Sequence, residues 1–477
     1  MPAPRIRLLS DEQKTRIHER SLDILGRVGI QFRSERALKI MADAGCEIDW
    51  ELGSARIPRR VVEDALETLP SQFLLAARDP ERDIHCGDGR LYFTAAAVSP
   101  HFRDLKTRKR RLATSEDLVQ CAHLIQRLDT VHEWASMVVP NDIHPELAQL
   151  HNIRLSLNES TKHFLGGISE QMFPFALEMF DTVLGDREEL RQRPLMSTVI
   201  NPVSPLTNNG KLVDETLIWA PYKLPIFLQF LPLAGGTSPV TLAGTVLQAN
   251  AEFLGNIALY QMAEPGWPIL WAASAGTLDM SSGRWGMGAE GSLMTAALIE
   301  MAKFYQVPVN AMGTSAYDAK AIGFQSGIEM MQSAMIPVLA GVDNMWGPAD
   351  FDGATLVDLP FIVLGAEVVR QIMRLLEGFA VDDEHLLLHA IQDMQFRGEY
   401  LGHPSTKRYF RQEHLLADLF PRESYEAWEA RGQTDEEIAL DRVRHLLDGY
   451  EPDPLPEDVS RELDRIYAAA STQLSES

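Results

Sequence analysis

IPVLAGVDNMWG from Ile336, VPVNAMGTS from Val307, PILWAASAG from Pro268 and PIFLQFLPLAGG from Pro225 are short apolar runs of strand length, each followed by turn residues and a helix-like stretch. Towards the N-terminus the same unit recurs in PLMSTVINPVSP from Pro194, TKHFLGGISE from Thr161, VHEWASMVVP from Val131 and LYFTAAAVSP from Leu91. Eight units about thirty to forty residues apart leave room for a crossover helix between successive strands, which parallel pairing requires. The cadence predicts an α/β chain folded as a (β/α)8 TIM barrel. In such a barrel the chemistry sits on the loops after the strands, so the residues closing each run are the first candidates for function. The fold alone names no reaction.

At 477 residues the chain exceeds the roughly 250 of a typical barrel. The surplus is assigned to an N-terminal helical extension over residues 1–90 and a C-terminal helical region over 381–477, with the barrel over 91–380. In the extension, DEQKTRIHERSLDILGRVG from Asp11 and SERALKIMADAG from Ser34 are amphipathic and end at glycine, and PRRVVEDALETLP is a third helix. Ile17, Ile24, Leu25 and Val28 share one face of the first helix and need an apolar surface, such as the end or flank of the barrel, to cover them. After the last run, LVDLPFIVLGAEVVRQIMRLLEGF from Leu356 is long and apolar, with Gly378 as its stop. It fits an internal layer or a subunit interface, which leaves a homo-oligomer open. Beyond it, DEEIALDRVRHLLDGY and PEDVSRELDRIYAAA read as surface-packed helices around the EPDPLP linker.

No apolar run approaches the roughly twenty residues of a membrane span, and the start, MPAPRIRLLSDEQK, lacks an apolar signal core. The expectation is a soluble, cytoplasmic protein without a membrane partner. Cys46, Cys86 and Cys121 lie far apart without paired spacing, so they read as free thiols rather than a disulfide framework or a structural zinc site, and no metal is expected. The formal net charge of -23 opposes nucleic-acid binding. It is compatible both with cationic small molecules and with plain acidic solubility.

Gly286-Met287-Gly288-Ala289-Glu290-Gly291 matches GxGxxG, but it begins about ten residues after its nearest run and lacks the later acidic residue of a dinucleotide site. His132, His163 and His403 stand singly, as structural histidines do. Lys320 follows the seventh run, where a desolvated amine would serve as a Schiff-base nucleophile; pairing with Asp318 on an exposed loop is the alternative. A more coherent set is aromatic and acidic: Trp271, Trp285, Tyr317 and Trp346 with Glu170, Asp343 and Asp350 near the ends of the runs. A quaternary ammonium group has no N–H to donate and is held by aromatic faces and diffuse negative charge, so the set favours a cation site. For any single tryptophan, packing under a loop is the alternative.

NPVSPL from Asn201 and AGGTSPVTLAGTVLQANAE from Ala234 carry a more specific signal. With DLKTRKRRLATSEDL from Asp104, SAYDAKAIGFQSGIEMM from Ser315, LAGVDNMWG from Leu339 and LGHPSTKRYFRQE from Leu401, they make the chain resemble the trimethylamine methyltransferase family nearly end to end. The resemblance implies transfer of a methyl group from a methylated amine to cob(I)alamin carried by a separate corrinoid protein. The archetype of that family uses pyrrolysine, whereas every position here is a standard amino acid, which points to a quaternary amine such as glycine betaine, already charged at nitrogen. Where the family's tail motif has His-Thr, this chain has Ser405-Thr406, with His403 two residues earlier as a substitute. The chain has no DxHxxG corrinoid motif, so no tightly bound cofactor is expected; the corrinoid protein would dock over the barrel mouth, with loops at Asn141, Asn208 and Gly347 as its rim. Within this reading Trp271 and Trp346 supply the cation face, Glu170 and Asp343 the charge complement, and Asn201 and Lys320 the polar orientation. Thr237 and Ser238 are further donors for a substrate carboxylate, and no residue is assigned as catalytic. The alternatives are a sulfonium or other methyl donor, or a catalytically silent quaternary-amine-binding relative.

Overall fold

The computed structural model describes residues 5–315, 318–420 and 422–476, so Tyr317 lies outside the described residues. Eight parallel strands close into a barrel in chain order: β1 Tyr92–Ala95, β2 Glu133–Ala135, β3 His163–Gly166, β4 Met196–Ile200, β5 Ile226–Phe230, β6 Ile269–Ala273, β7 Val309–Met312 and β8 Asn344–Trp346. Closure is made where Trp346 of β8 pairs with Thr94 of β1 and Thr94 in turn pairs with Glu133 of β2.

Each strand is buried on both faces, because helices cover the outside of the barrel and its own side chains fill the inside. Alternate residues therefore belong to two cores. Phe93, Trp134, Phe164, Leu228, Trp271 and Met345 pack outward in the main core. Ala135, Leu165, Phe227, Leu270, Met312 and Trp346 pack inward in a smaller one.

All eight runs contain their strand, but the first part of the eighth is helix. Ile336–Ala340 forms the end of helix Phe324–Ala340, Gly341 closes that helix in the left-handed region at φ 97°, and only Asn344–Trp346 is strand. An apolar run of five is compatible with either element, and here it completes the buried face of a helix that also contains Pro337.

The first helix spans Asp11–Arg27 and is opened by a reciprocal cap between Ser10 and Gln13. Its buried side chains, Leu22 and Leu25, lie against the barrel helix Leu242–Ala263. Val28, expected on the same face, caps the helix and is exposed. At the other end of the chain, helix Leu359–Glu377 stops at Gly378, and helices Asp435–Leu447 and Glu457–Glu476 return to pack on the barrel's outer helices. The three cysteines are free and buried. Among the described residues no helix is long and apolar enough to cross a membrane.

Candidate active site

A cavity of about 1360 Å³ opens at the C-terminal ends of the strands. Its floor is one layer of inward residues: Ala96, Ala135, Leu165, Val199, Met312 and Trp346. Strand geometry places the next inward layer, two residues back along each strand, about 6–7 Å deeper. That deeper layer contains Thr94, Glu133, His163, Ser197, Asn310 and Asn344, all fully buried.

The deeper layer is polar and nearly closed on itself. His163 Nδ1 lies 2.7 Å from the carbonyl of Ala76, which can only accept, so Nδ1 carries the proton and Nε2 accepts from the Ser197 hydroxyl at 2.8 Å. Burial pulls the His163 pKa down to about 4, so the ring is neutral. Thr94 Oγ1 contacts both Glu133 Oε2 at 2.6 Å and Asn344 Oδ1 at 2.9 Å. One hydroxyl proton cannot serve both acceptors, but a protonated Glu133 can donate to Thr94 while Thr94 donates to Asn344. The pKa agrees, because burial raises Glu133 to about 7 against the opposing hydrogen bonds. Asn310 completes the chain by donating to Asn344 Oδ1 at 2.9 Å.

The upper layer and its walls are different. Trp346 projects from β8 and stacks against Phe227 at 5.9 Å, leaving its indole Nε1 without a partner. Four residues on, Asp350 is almost completely buried, and its Oδ1 also has no partner. The tight turn between them needs Gly347, at φ 119°, where a Cβ would stand 2.0 Å from the carbonyl oxygen of Gly313. Burial lifts the Asp350 pKa to about 7, opposed by a hydrogen bond from Ser315. On the β2 side Asn152 donates to Ser136 at 2.9 Å and leaves its Oδ1 unpartnered. These three atoms are open to a ligand in the cavity, although unpartnered buried atoms also occur in the packed core, Trp134 Nε1 and Trp271 Nε1 among them.

The lining is also acidic. Asp350, Glu146, Glu170, Asp214 and Glu215 face it, against Arg33 and Lys211. Lys211 is loosely paired with Glu215 at 3.7 Å, and Asp214 accepts from Ser34 at 2.5 Å. Arg33 sits in the left-handed region at φ 53°, and its carbonyl fits where Gly210 has no side chain, since a Cβ there would stand 1.8 Å away. Among the described residues no partner binds its guanidinium. Arg33 belongs to the strap before helix Glu35–Asp43, more than fifty residues ahead of β1, and nothing in the sequence ties it to the barrel mouth.

Of the residues singled out from sequence, Trp346, Glu170, Asn201 and Asp350 come together around this cavity. Three others require correction. Trp271 points outward from β6 and stacks on Phe253 at 4.0 Å with an interplanar angle of 3°, so it packs barrel against helix rather than facing the cavity. Asp343 precedes β8 at the bottom of the barrel, where it pairs with Lys303 at 2.6 Å and accepts from the backbone N–H of Val309 at 2.8 Å. Lys320 lies on a rim loop outside the cavity, donating to the backbone carbonyl of Asp318 and pairing with Asp352 at 3.4 Å. Trp285 is half-buried beside Gly353, packs against the inner core and is not among the residues lining the cavity. Thr237 and Ser238 are occupied by Leu233 and Thr245. Asn208 and Gly347 are buried rather than on the rim, while Asn141 is exposed beside the lining residue Pro140. His403 caps helix Pro404–Glu413 through Ser405 and does not reach the cavity.

Fold and cavity together define a barrel protein with a large acidic site at its C-terminal mouth, where proteins of this architecture carry their chemistry. The family model described as trimethylamine methyltransferase (MTTB) matches residues 1–473, and the chain belongs to that family. It is 29% identical over 460 residues to a trimethylamine methyltransferase MttB of Desulfitobacterium hafniense, covering 96% of this chain and 92% of that one. It is 25% identical over 477 residues to a glycine betaine methyltransferase of the same species, covering 99% of both. Among solved structures, the Methanosarcina barkeri monomethylamine methyltransferase (MtmB) superposes with a TM-score of 0.54 over 99% of this chain and 88% of that one. At 11% identity that likeness speaks for the fold alone.

Proposed function

We propose that the protein removes a methyl group from a small quaternary ammonium compound of the glycine betaine kind and passes it to cob(I)alamin on a separate corrinoid protein. The observation that carries this reading is an acidic cavity whose lining brings together the Trp346 ring and the Asp350 carboxylate. The names of the relatives support the substrate class.

The indole face offers the cation its quadrupole, and Asp350 offers charge in a site shielded from water, where both act more strongly than at a surface. A quaternary nitrogen leaves as a neutral amine, so no proton donor is needed. That suits a lining in which, among the described residues, there is no histidine or cysteine. A docked corrinoid would supply a Co(I) nucleophile for the methyl carbon, the C–N electron pair returning to nitrogen. The chain's own task is to desolvate the cation and aim one methyl outward. The exposed side chains of Val98 and Val139 at the mouth give an apolar rim that a docked corrinoid protein could cover. For a substrate with an anionic end, Arg33 supplies a free guanidinium on the β4 side, across the barrel from β8.

Calorimetry with glycine betaine, carnitine, proline betaine, choline, trimethylamine and dimethylsulfoniopropionate tests the site, followed by demethylation with reduced corrinoid protein. Saturable binding of a quaternary amine that is lost in Asp350→Asn is the expected result. Selective binding of the sulfonium would move the proposal to another methyl donor, and binding without demethylation would make the chain a silent relative.

A further inference from the structure

The loops that leave the C-terminal ends of the strands carry exposed apolar side chains around the mouth. Val98 follows β1, Val139 follows β2, Val203 follows β4, Val240 follows β5 and Met280 follows β6, and all five are exposed. A small substrate enters inside this ring and touches little of it, so covering the ring takes a macromolecule. At Leu112, 50% exposed, the ring passes onto a hairpin formed by His101–Arg103 and Arg110–Leu112. The hairpin is fastened to the mouth. His101 and Phe102 pair with Leu356 and Val357 beyond β8, Arg103 donates to the carbonyl of Lys320 beyond β7 at 2.6 Å, and just ahead of it Ser99 accepts from the backbone N–H of Val139 at 2.9 Å.

Residues 101–112 hold six cations against one carboxylate, Asp104. The cations divide into two sets. Arg108 forks onto the buried Asp358 at 2.9 and 2.7 Å and reaches Glu436 at 2.8 Å, Arg111 grips Asp117 at 2.5 and 2.7 Å, and Arg103 lies 3.7 Å from Asp358. These three bind the hairpin to the body. Lys106, Lys109 and Arg110 are exposed, and among the described residues no carboxylate forms an ion pair with any of them. Arg110 donates to His101 Nδ1 at 3.0 Å instead. Three neighbouring like charges left unneutralised, on a chain of net charge -23, add nothing to the fold. Arg110 opens the edge strand of its sheet, where a cation deters foreign strands, but Lys106 and Lys109 precede that strand and have no edge to guard. The acids of the lining sit elsewhere on the mouth: Glu146, Glu170, Asp214 and Glu215 follow β2, β3 and β4. A mouth polarised in this way accepts a protein partner in one orientation.

We propose that the hairpin steers and orients the methyl-accepting protein, with Lys106, Lys109 and Arg110 meeting an acidic edge of that protein while its neighbouring surface covers the apolar ring. The inference rests on the function proposed above and adds the charge that the acceptor must carry. Rim charges act on the association rate and its salt dependence, which a merely structural role of the hairpin would not move.

Association with the reduced corrinoid protein of the demethylation assay is to be followed by stopped flow at low ionic strength and at roughly 0.15 M. Lys106→Glu with Lys109→Glu should lower kon by about tenfold at low salt, narrow that gap at the higher salt and raise the KM for the corrinoid protein. Circular dichroism and the calorimetric affinity for the amine should match wild type. Lys407→Glu with Arg411→Glu makes the same change in net charge at exposed positions on helix Pro404–Glu413, whose last residue is held by Arg374, and should leave kon within about twofold of wild type. A hairpin variant that associates like wild type, a control that loses as much, wild-type association indifferent to salt, or a loss traced by sedimentation to self-association of this chain overturns the docking proposal while demethylation stands. If wild type neither binds a quaternary amine nor methylates the corrinoid protein, the function proposed above fails and this inference falls with it.

Discussion

Two inward layers of the barrel lie one register step apart, and they differ in how far their polar groups pair with one another. In the deeper layer the Glu133, Thr94, Asn344, His163 and Ser197 side chains hydrogen-bond to one another. Above it, Trp346 and Asp350 each keep one polar atom, the indole Nε1 and the carboxylate Oδ1, without a partner, as Asn310 Oδ1 does in the deeper layer. A buried polar group without a partner costs about 1–3 kcal/mol, so leaving several together is tolerated where a ligand completes them.

The largest expected effect is on the upper layer. Asp350→Asn should reduce kcat/KM for a quaternary amine by about a hundredfold with little change in thermal midpoint, since it removes a buried charge facing the ligand. Trp346→Ala should weaken binding by roughly tenfold to thirtyfold, read by calorimetry. In the deeper layer the loss should be one of stability: Glu133→Ala should cost about 3 kcal/mol in urea unfolding, by opening a void and orphaning Thr94 and Asn344. Glu133→Gln, which keeps a neutral donor, should cost about 1 kcal/mol or less.

A pH titration sharpens the comparison. Glu133 and Asp350 both have folded pKa values raised to about 7, above their ordinary carboxylate range. Each therefore contributes stability that is fully present below the unfolded pKa and lost as pH rises through the folded one, so wild-type stability should fall between about pH 4 and 7. Cation binding should run the other way, strengthening up to about tenfold per pH unit below 7, because the ligand favours ionised Asp350. Asp350→Asn should flatten the binding profile and leave the Glu133 share of the stability profile in place. The smallest effect should come from Trp271→Phe, which keeps the stack on Phe253: substrate affinity within about twofold of wild type, with a modest loss of stability.

The barrel was legible because eight buried strands repeat at one spacing, and periodicity survives ignorance of tertiary detail. Which face of a strand looks inward was not legible. In a half-exposed sheet polarity marks the faces, but here both are buried, so Trp271 and Trp346 read alike while one packs under a helix and the other floors the cavity. The misplacement of Asp343 has a definite origin. Taking the eighth strand to begin at Ile336 moved this residue from the foot of β8 to its tip. Glu170 and Asn201 line the cavity because each lies in the segment that leaves the C-terminal end of a strand. Arg33 was missed because its place at the mouth depends on a long-range fit with Gly210 that no local pattern announces.

That fit has a consequence for how the molecule can be recombined. The carbonyl of Arg33 occupies the space of an absent side chain at position 210, so the strap and the loop after β4 are a lock and its key carried almost two hundred residues apart. A chimera that joins this barrel to another N-terminal segment must bring a matching strap, and one that replaces the loop must keep glycine at 210. Otherwise the cavity would lose part of its wall while every barrel strand stayed intact.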